Sequence, residues 1–225
     1  MEEIQNEQYV EETNNILVKV FFRMFLGLLA TGLSAYYTYK SGLYVSILSG
    51  MSYAVIAIIE VAIVLLFSWM FRKLSPTAVT VLFYLYAFIN GITLSVIFAV
   101  FDMSTIFYAF FATSLLFGGL ALYGYVTKKD MSKFGSILMV TLIVGLVVSI
   151  INLFIGNSIV DIALDWVMLF VFCGLTIYDM NKIKNMSEEI EYGSEKLYIY
   201  GAMELYLDFI NIFIRLLSII GRRRN

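Results

Sequence analysis

Acidic side chains set inside long apolar runs are the part of this sequence that could do chemistry. Glu60, Asp165, Asp179, Glu204 and Asp208 are such acids, and Arg215 is a base in the same setting. Glu204, Asp208, Asn211 and Arg215 follow one another by four, three and four residues, which stacks them on one face of a helix. Asp165, Phe172, Thr176 and Asp179 form a second stripe of the same kind. Two polar seams on otherwise apolar helices are most simply buried by turning toward each other. Carboxyl groups that meet in a low-dielectric interior cannot both ionise cheaply, so they tend to share a proton. Protonated, Asp179 and Asp208 could hydrogen-bond and latch their helices. Deprotonated, they would repel or recruit a cation, and carboxylate oxygens are the hard ligands that calcium prefers.

The remaining composition narrows that chemistry. There is no histidine, which removes Ser-His-Asp and Cys-His catalysis along with the commonest metal ligand. The single cysteine, Cys173, lies in an apolar run and can form neither an internal disulfide nor a cysteine-based metal site. A formal net charge of −2 gives no general attraction to nucleic acid. Nothing in the chain indicates a soluble cofactor or an organic substrate.

The elements that must carry these residues are membrane spans. Of the 225 residues 61% are hydrophobic and 14% charged, with a mean hydropathy of +0.87, more apolar surface than a water-soluble fold of this size can hide. A helix needs about 20 mostly apolar residues to cross the hydrocarbon. Seven candidates follow, at about Ile16–Tyr37, Val45–Phe71, Ala78–Phe101, Thr105–Val126, Phe134–Ile155, Ile159–Ile183 and Leu197–Ile220. The expected fold is an all-α, seven-helix transmembrane bundle over residues 16–221. Residues 1–15, with Glu2, Glu3, Glu7, Glu11 and Glu12, read as an acidic cytoplasmic tail rather than a signal peptide, and residues 222–225 as a basic tail.

Lys and Arg in the short loops set the orientation. Arg72 and Lys73, then Lys128, Lys129 and Lys133, then Lys182, Lys184 and Lys196 follow the second, fourth and sixth spans, so these loops and the N-terminus face the cytoplasm of a cell-membrane protein. Seven full crossings place Arg222, Arg223 and Arg224 outside, against the rule; a seventh segment that re-enters would return them to the cytoplasm.

Each acid in a span costs about 2.5–3.5 kcal/mol to insert at mid-bilayer, which makes it a functional candidate. The bland alternative is a set of salt bridges that fix helix register, with Arg215, Arg72 or Arg23 as partners. Lys19 and Arg23 can snorkel from the first span. Asn90, Asn152 and Asn211 suit interhelical hydrogen bonds, and Asp161 could cap the sixth span.

Several runs resemble a known family. Cys173-Gly174-Leu175-Thr176-Ile177-Tyr178-Asp179-Met180-Asn181 resembles the sixth-helix signature of the Bax-inhibitor family, the transmembrane Bax inhibitor motif proteins, in its bacterial form. Leu205-Tyr206-Leu207-Asp208-Phe209-Ile210-Asn211-Ile212-Phe213 resembles its seventh-helix signature closely. Asn90-Gly91-Ile92-Thr93-Leu94-Ser95 and Tyr123-Gly124-Tyr125-Val126-Thr127-Lys128-Lys129-Asp130-Met131-Ser132 are similar to its third-span and fourth-loop patterns. The resemblance implies a bundle with the last helix at its centre and a pH-sensitive calcium leak gated by two aspartates, which match Asp179 and Asp208. It places Glu60 along the pore, and Glu204 where members carry an acid or a serine. One feature departs: a basic residue that pairs with the aspartates in some bacterial members falls at Phe71, with Arg72 displaced by one position, about 100° around the helix.

The leading expectation is a calcium-conducting channel in the lipid bilayer. Protonation of Asp179 and Asp208 gates it, Glu60, Glu204 and Asp165 line the ion pathway, and calcium is the permeant ion or a transient ligand of the two aspartates. The chain reads as a monomer and not an enzyme. An intramembrane aspartyl protease is disfavoured because bulky Leu205-Tyr206-Leu207 precedes Asp208 where a glycine would open the backbone to substrate. The alternative is a regulatory protein that modulates a membrane protease or stress factor without transport, its acidic tail the contact.

Overall fold

The computed structural model describes residues 2–48, 63, 73–189 and 195–222. Most of the expected second span, with Glu60 and Arg72, lies outside these residues. The described residues are helical with short connections and no strand: α1 (Glu2–Lys40), α2 (Leu43–Leu48), α3 (Pro76–Leu94), α4 (Ile97–Val100), α5 (Met103–Val126), α6 (Ser132–Ile155), α7 (Ser158–Glu189) and α8 (Glu195–Arg222).

Among the described residues five helical stretches are long and apolar enough to cross a membrane: Asn15–Lys40, Pro76–Val100, Met103–Val126, Ser132–Asn152 and Ser158–Met186. They coincide with the first, third, fourth, fifth and sixth expected spans. The protein is therefore a polytopic helical membrane bundle. Their outward residues are large and apolar, as lipid demands; Ile143, Ile159 and Phe170 are examples. The acidic stretch expected as a tail is the beginning of α1 itself, and the apolar part of that helix starts at Asn15.

Two compact units make up the chain. The first holds residues 1–102 and 190–203. Here α1 packs along α3, and the contact is polar as well as apolar: Thr31 Oγ1 donates to Ala87 O at 2.9 Å and Ser34 Oγ to Phe88 O at 2.8 Å. Gly91 permits this approach, since a Cβ there would strike Ser34 and the Thr31 carbonyl. Ser75 caps α3 by accepting from Ala78 N, with Pro76 in the first turn.

The second unit holds residues 103–189 and 204–225, and α7 packs against both α5 and α6 within it. Gly124 lets α5 come close to α7, because a Cβ would sit 2.5 Å from Ile177 O. Asn181 Nδ2 donates to Gly124 O at 3.4 Å and Thr127 O at 3.3 Å, satisfying carbonyls that the end of α5 leaves free. The turn between α6 and α7 needs Gly156 at φ 70°, a left-handed cap that donates to Asn152 O. Asn157, not Asp161, caps α7: its Oδ1 accepts from Ile159 N at 2.9 Å. Asp161 sits one turn too far along and instead accepts from Asn152 Nδ2 at 2.6 Å.

No residue of α8 from Lys196 to Gly221 is exposed.

Candidate functional site

The site is built where α7 and α8 run side by side in the second unit. At one end, Lys182 Nζ donates to Glu204 Oε1 at 2.9 Å and Oε2 at 3.2 Å. One turn deeper on each helix stand Asp179 and Asp208. Asp179 lies three residues before Lys182, and Asp208 four after Glu204, so antiparallel helices bring both pairs into register. The Asp179 carboxyl is within hydrogen-bonding reach of both the Asp208 and Glu204 carboxyls, and Thr176 reaches Asp208. Asp179 is 9% exposed and Asp208 3%. Oδ2 of Asp208 is buried and receives no hydrogen bond among the described residues.

The far end of the same pair of helices is closed by charge. Asp165, 4% exposed, accepts from Arg215 Nη1 at 3.0 Å and Ser218 Oγ at 2.6 Å, and its second oxygen is 3.0 Å from Arg222 Nη2. Along α7, Asp165 and Lys182 are about 25 Å apart at 1.5 Å per residue. On α8, Glu204 lies about 17 Å from Arg215 and about 27 Å from Arg222 by the same rise, so charge ties α8 to α7 at two well-separated places.

The structure distributes the expected site residues as follows. Asp179, Asp208 and Glu204 converge. Asp165 and Arg215 form a separate ion pair. Arg23 belongs to the first unit, where its guanidinium pairs with Glu195 and neighbouring Lys19 lies 4.9 Å over the Tyr198 ring. Glu60 and Arg72 lie outside the described residues. Among the described residues no three acidic or cysteine side chains form a metal-binding group. Three members of the two clusters went unrecognised in the sequence. Lys182 was grouped with the charges of the following loop although the expected span reached Ile183, and α7 in fact continues to Glu189. Arg222 counted as tail, and Ser218 was passed over. Their signals were present: Lys182 is three residues from Asp179, and Ser218 and Arg222 are three and seven from Arg215.

An ionised carboxylate only accepts hydrogen bonds, so two carboxyls in contact need a proton on one or a cation between them. Fold and site together define a polytopic helical membrane protein with an acidic cluster between two of its helices. Within that class the chain belongs to the Bax inhibitor family: the family profile described as "Inhibitor of apoptosis-promoting Bax1" matches residues 13–225. It is 39% identical over 214 residues to the inner membrane protein YbhL of Escherichia coli, covering 92% of each chain. It is 33% identical to an uncharacterized protein of Borreliella burgdorferi, covering 98% of this chain and 97% of the other. A Rickettsia prowazekii relative, also uncharacterized, is 32% identical, with 98% and 95% covered.

Proposed function

We propose that this protein is a pH-sensitive calcium-leak channel whose gate is the Asp179–Asp208 pair. The observation that supports this reading most is the contact of two buried carboxyls on neighbouring membrane helices, with a third acid, Glu204, beside them. A shared proton holds α7 to α8. Loss of that proton sets two like charges against each other and gives a hard cation its oxygen ligands. Calcium is the permeant ion, met by carboxylates in passing rather than lodged in a cage. Glu60, if it faces the same pathway, adds an acid to it. Asp165, neutralised by Arg215 and Arg222, serves the register of α7 and α8. The N-terminus faces the cytoplasm, with the Lys128–Lys133 loop on the same side.

The test is calcium flux from proteoliposomes across a pH series. Flux is expected to rise as the pair loses its proton, and Asp179→Asn and Asp208→Asn, fixed in the protonated shape, are each expected to remove most of that rise. Wild-type pH dependence in both variants would eliminate the gate.

A further inference from the structure

Between the bulk phase and the paired aspartates stands the Lys182–Glu204 rung. Its side chains are 30% and 21% exposed, whereas Asp179 and Asp208 one turn deeper are almost wholly buried. The ammonium also lies 5.8 Å over the Tyr178 ring, and its charge is felt at Asp179. Below it, Asp208 Oδ2 is a buried acceptor with no donor. The lysine stem is four carbons long and flexible, and its head is a compact positive charge. The reach of that stem lets the ammonium exchange between Glu204 and Asp179, whose carboxyl already feels its charge.

We propose that Lys182 is a tethered counter-ion of this cluster, held at the outer rung by Glu204, and that it competes with a divalent cation for the Asp179–Asp208 oxygens. Lys182 then sets how tightly the site takes calcium, and Glu204 sets how far the lysine stays out of the way. The ammonium is paired with Glu204 and acts on Asp179; Asp208 adjoins Asp179 and Glu204, and the Cys173 thiol lies within the field of Asp208. The inference rests on the channel reading for its physiological meaning, but the competition is a binding property and can be measured without transport.

The experiment is equilibrium binding of radioactive calcium to the full-length protein in detergent. Lys182→Gln removes the competitor and is expected to bind calcium on the order of ten-fold more tightly than wild type. Lys182→Arg keeps the charge and is expected to stay near wild type, which separates competition from packing. Glu204→Gln releases the ammonium onto the aspartates and removes an acid, so its affinity is expected to fall by a similar factor. Where Lys182→Gln does not give monodisperse protein, Lys182→Gln/Glu204→Gln, in which neither member of the rung is charged, compared with Glu204→Gln alone reads the effect of the ammonium instead. Equal affinities for wild type and Lys182→Gln, no calcium binding by either, or equal shifts in the Gln and Arg variants overturn the proposal. Affinity that follows Lys182 while flux ignores Asp179 and Asp208 keeps the counter-ion and removes the channel. Flux that follows the aspartates with unchanged affinity in Lys182→Gln does the reverse.

Discussion

At the scale of single residues, the two charge clusters differ in what their loss should do. Asp165 is buried and binds two arginines and a serine; removing it leaves Arg215, whose Nε is already buried without a partner among the described residues, with no acid. Asp165→Ala is therefore expected to cost about 1–3 kcal/mol, less than for a fully dry pair because both guanidinium groups retain some access to the surface. Unfolding in mixed micelles checks this, and a stability equal to wild type would mean that the ion pair does not hold α7 to α8. Asp130 offers a titration outside the membrane. The Ser132 N–H donates to its carboxylate at 2.9 Å, which with the nearby Lys133 holds the group below its ordinary value. A lowered folded-state pKa means stabilisation present above the unfolded-state value and lost as pH falls through the folded one. The start of α6 should thus loosen only in strongly acidic solution, and Asp130→Asn should abolish that acid step, as amide exchange at Ser132–Ser136 would show. The acids were legible in the sequence because a charge in an apolar run is costly to insert and so stands out, whether it serves a site or, like Asp165, an ion pair. Lys182 was not, because a lysine near the end of a span is what topology alone would put there.

At the scale of elements, helix existence was legible and helix ends were not. Five spans emerge within a few residues of their apolar runs because lipid enforces length and hydropathy together. Ends depend on local hydrogen bonds that hydropathy does not register, which is why Asn157 rather than Asp161 caps α7 and why α7 runs to Glu189. Close approaches are equally silent in the sequence: of the glycines in α5, Gly124 faces the Ile177 carbonyl while Gly118 and Gly119 have open space. Gly124→Ala is accordingly expected to destabilise by about 1–3 kcal/mol through overpacking. Because α7 carries Asp179, it should also disturb pH-dependent flux. Gly118→Ala, with nothing within 4 Å of the new methyl, is expected to leave both unchanged. Equal effects from the two variants would remove the idea that α5 positions α7 by contact at Gly124.

At the scale of the whole molecule, the open question in the sequence was where the last helix ends. Hydropathy and the positive-inside rule disagree there, since the rule draws the terminal arginines to the cytoplasm while a seventh crossing carries them out. Pairing along α7 is what a full crossing of α8 requires. Asp165 lies near the start of α7, just after the Gly156–Asn157 turn, and it binds Arg215 and Arg222 near the end of α8. Lys182, near the opposite end of α7, binds Glu204. The C-terminal end of α8 therefore shares a side with the Gly156 turn and lies opposite the Lys128–Lys133 loop. Arg215 and Arg222 are tied to a buried acid and are not free loop charges, so they weigh less in the positive-inside count. With Cys173 changed to serine to clear the background, single cysteines at Asn157 and Ser158 and at Asn225, past the end of α8, should react with an impermeant maleimide from the same face of intact cells. One at Lys129 should react only after the membrane is opened. Labelling of the Asn225 and Lys129 positions from one face would return the last helix to a re-entrant segment and separate Glu204 from the register that brings it to Lys182.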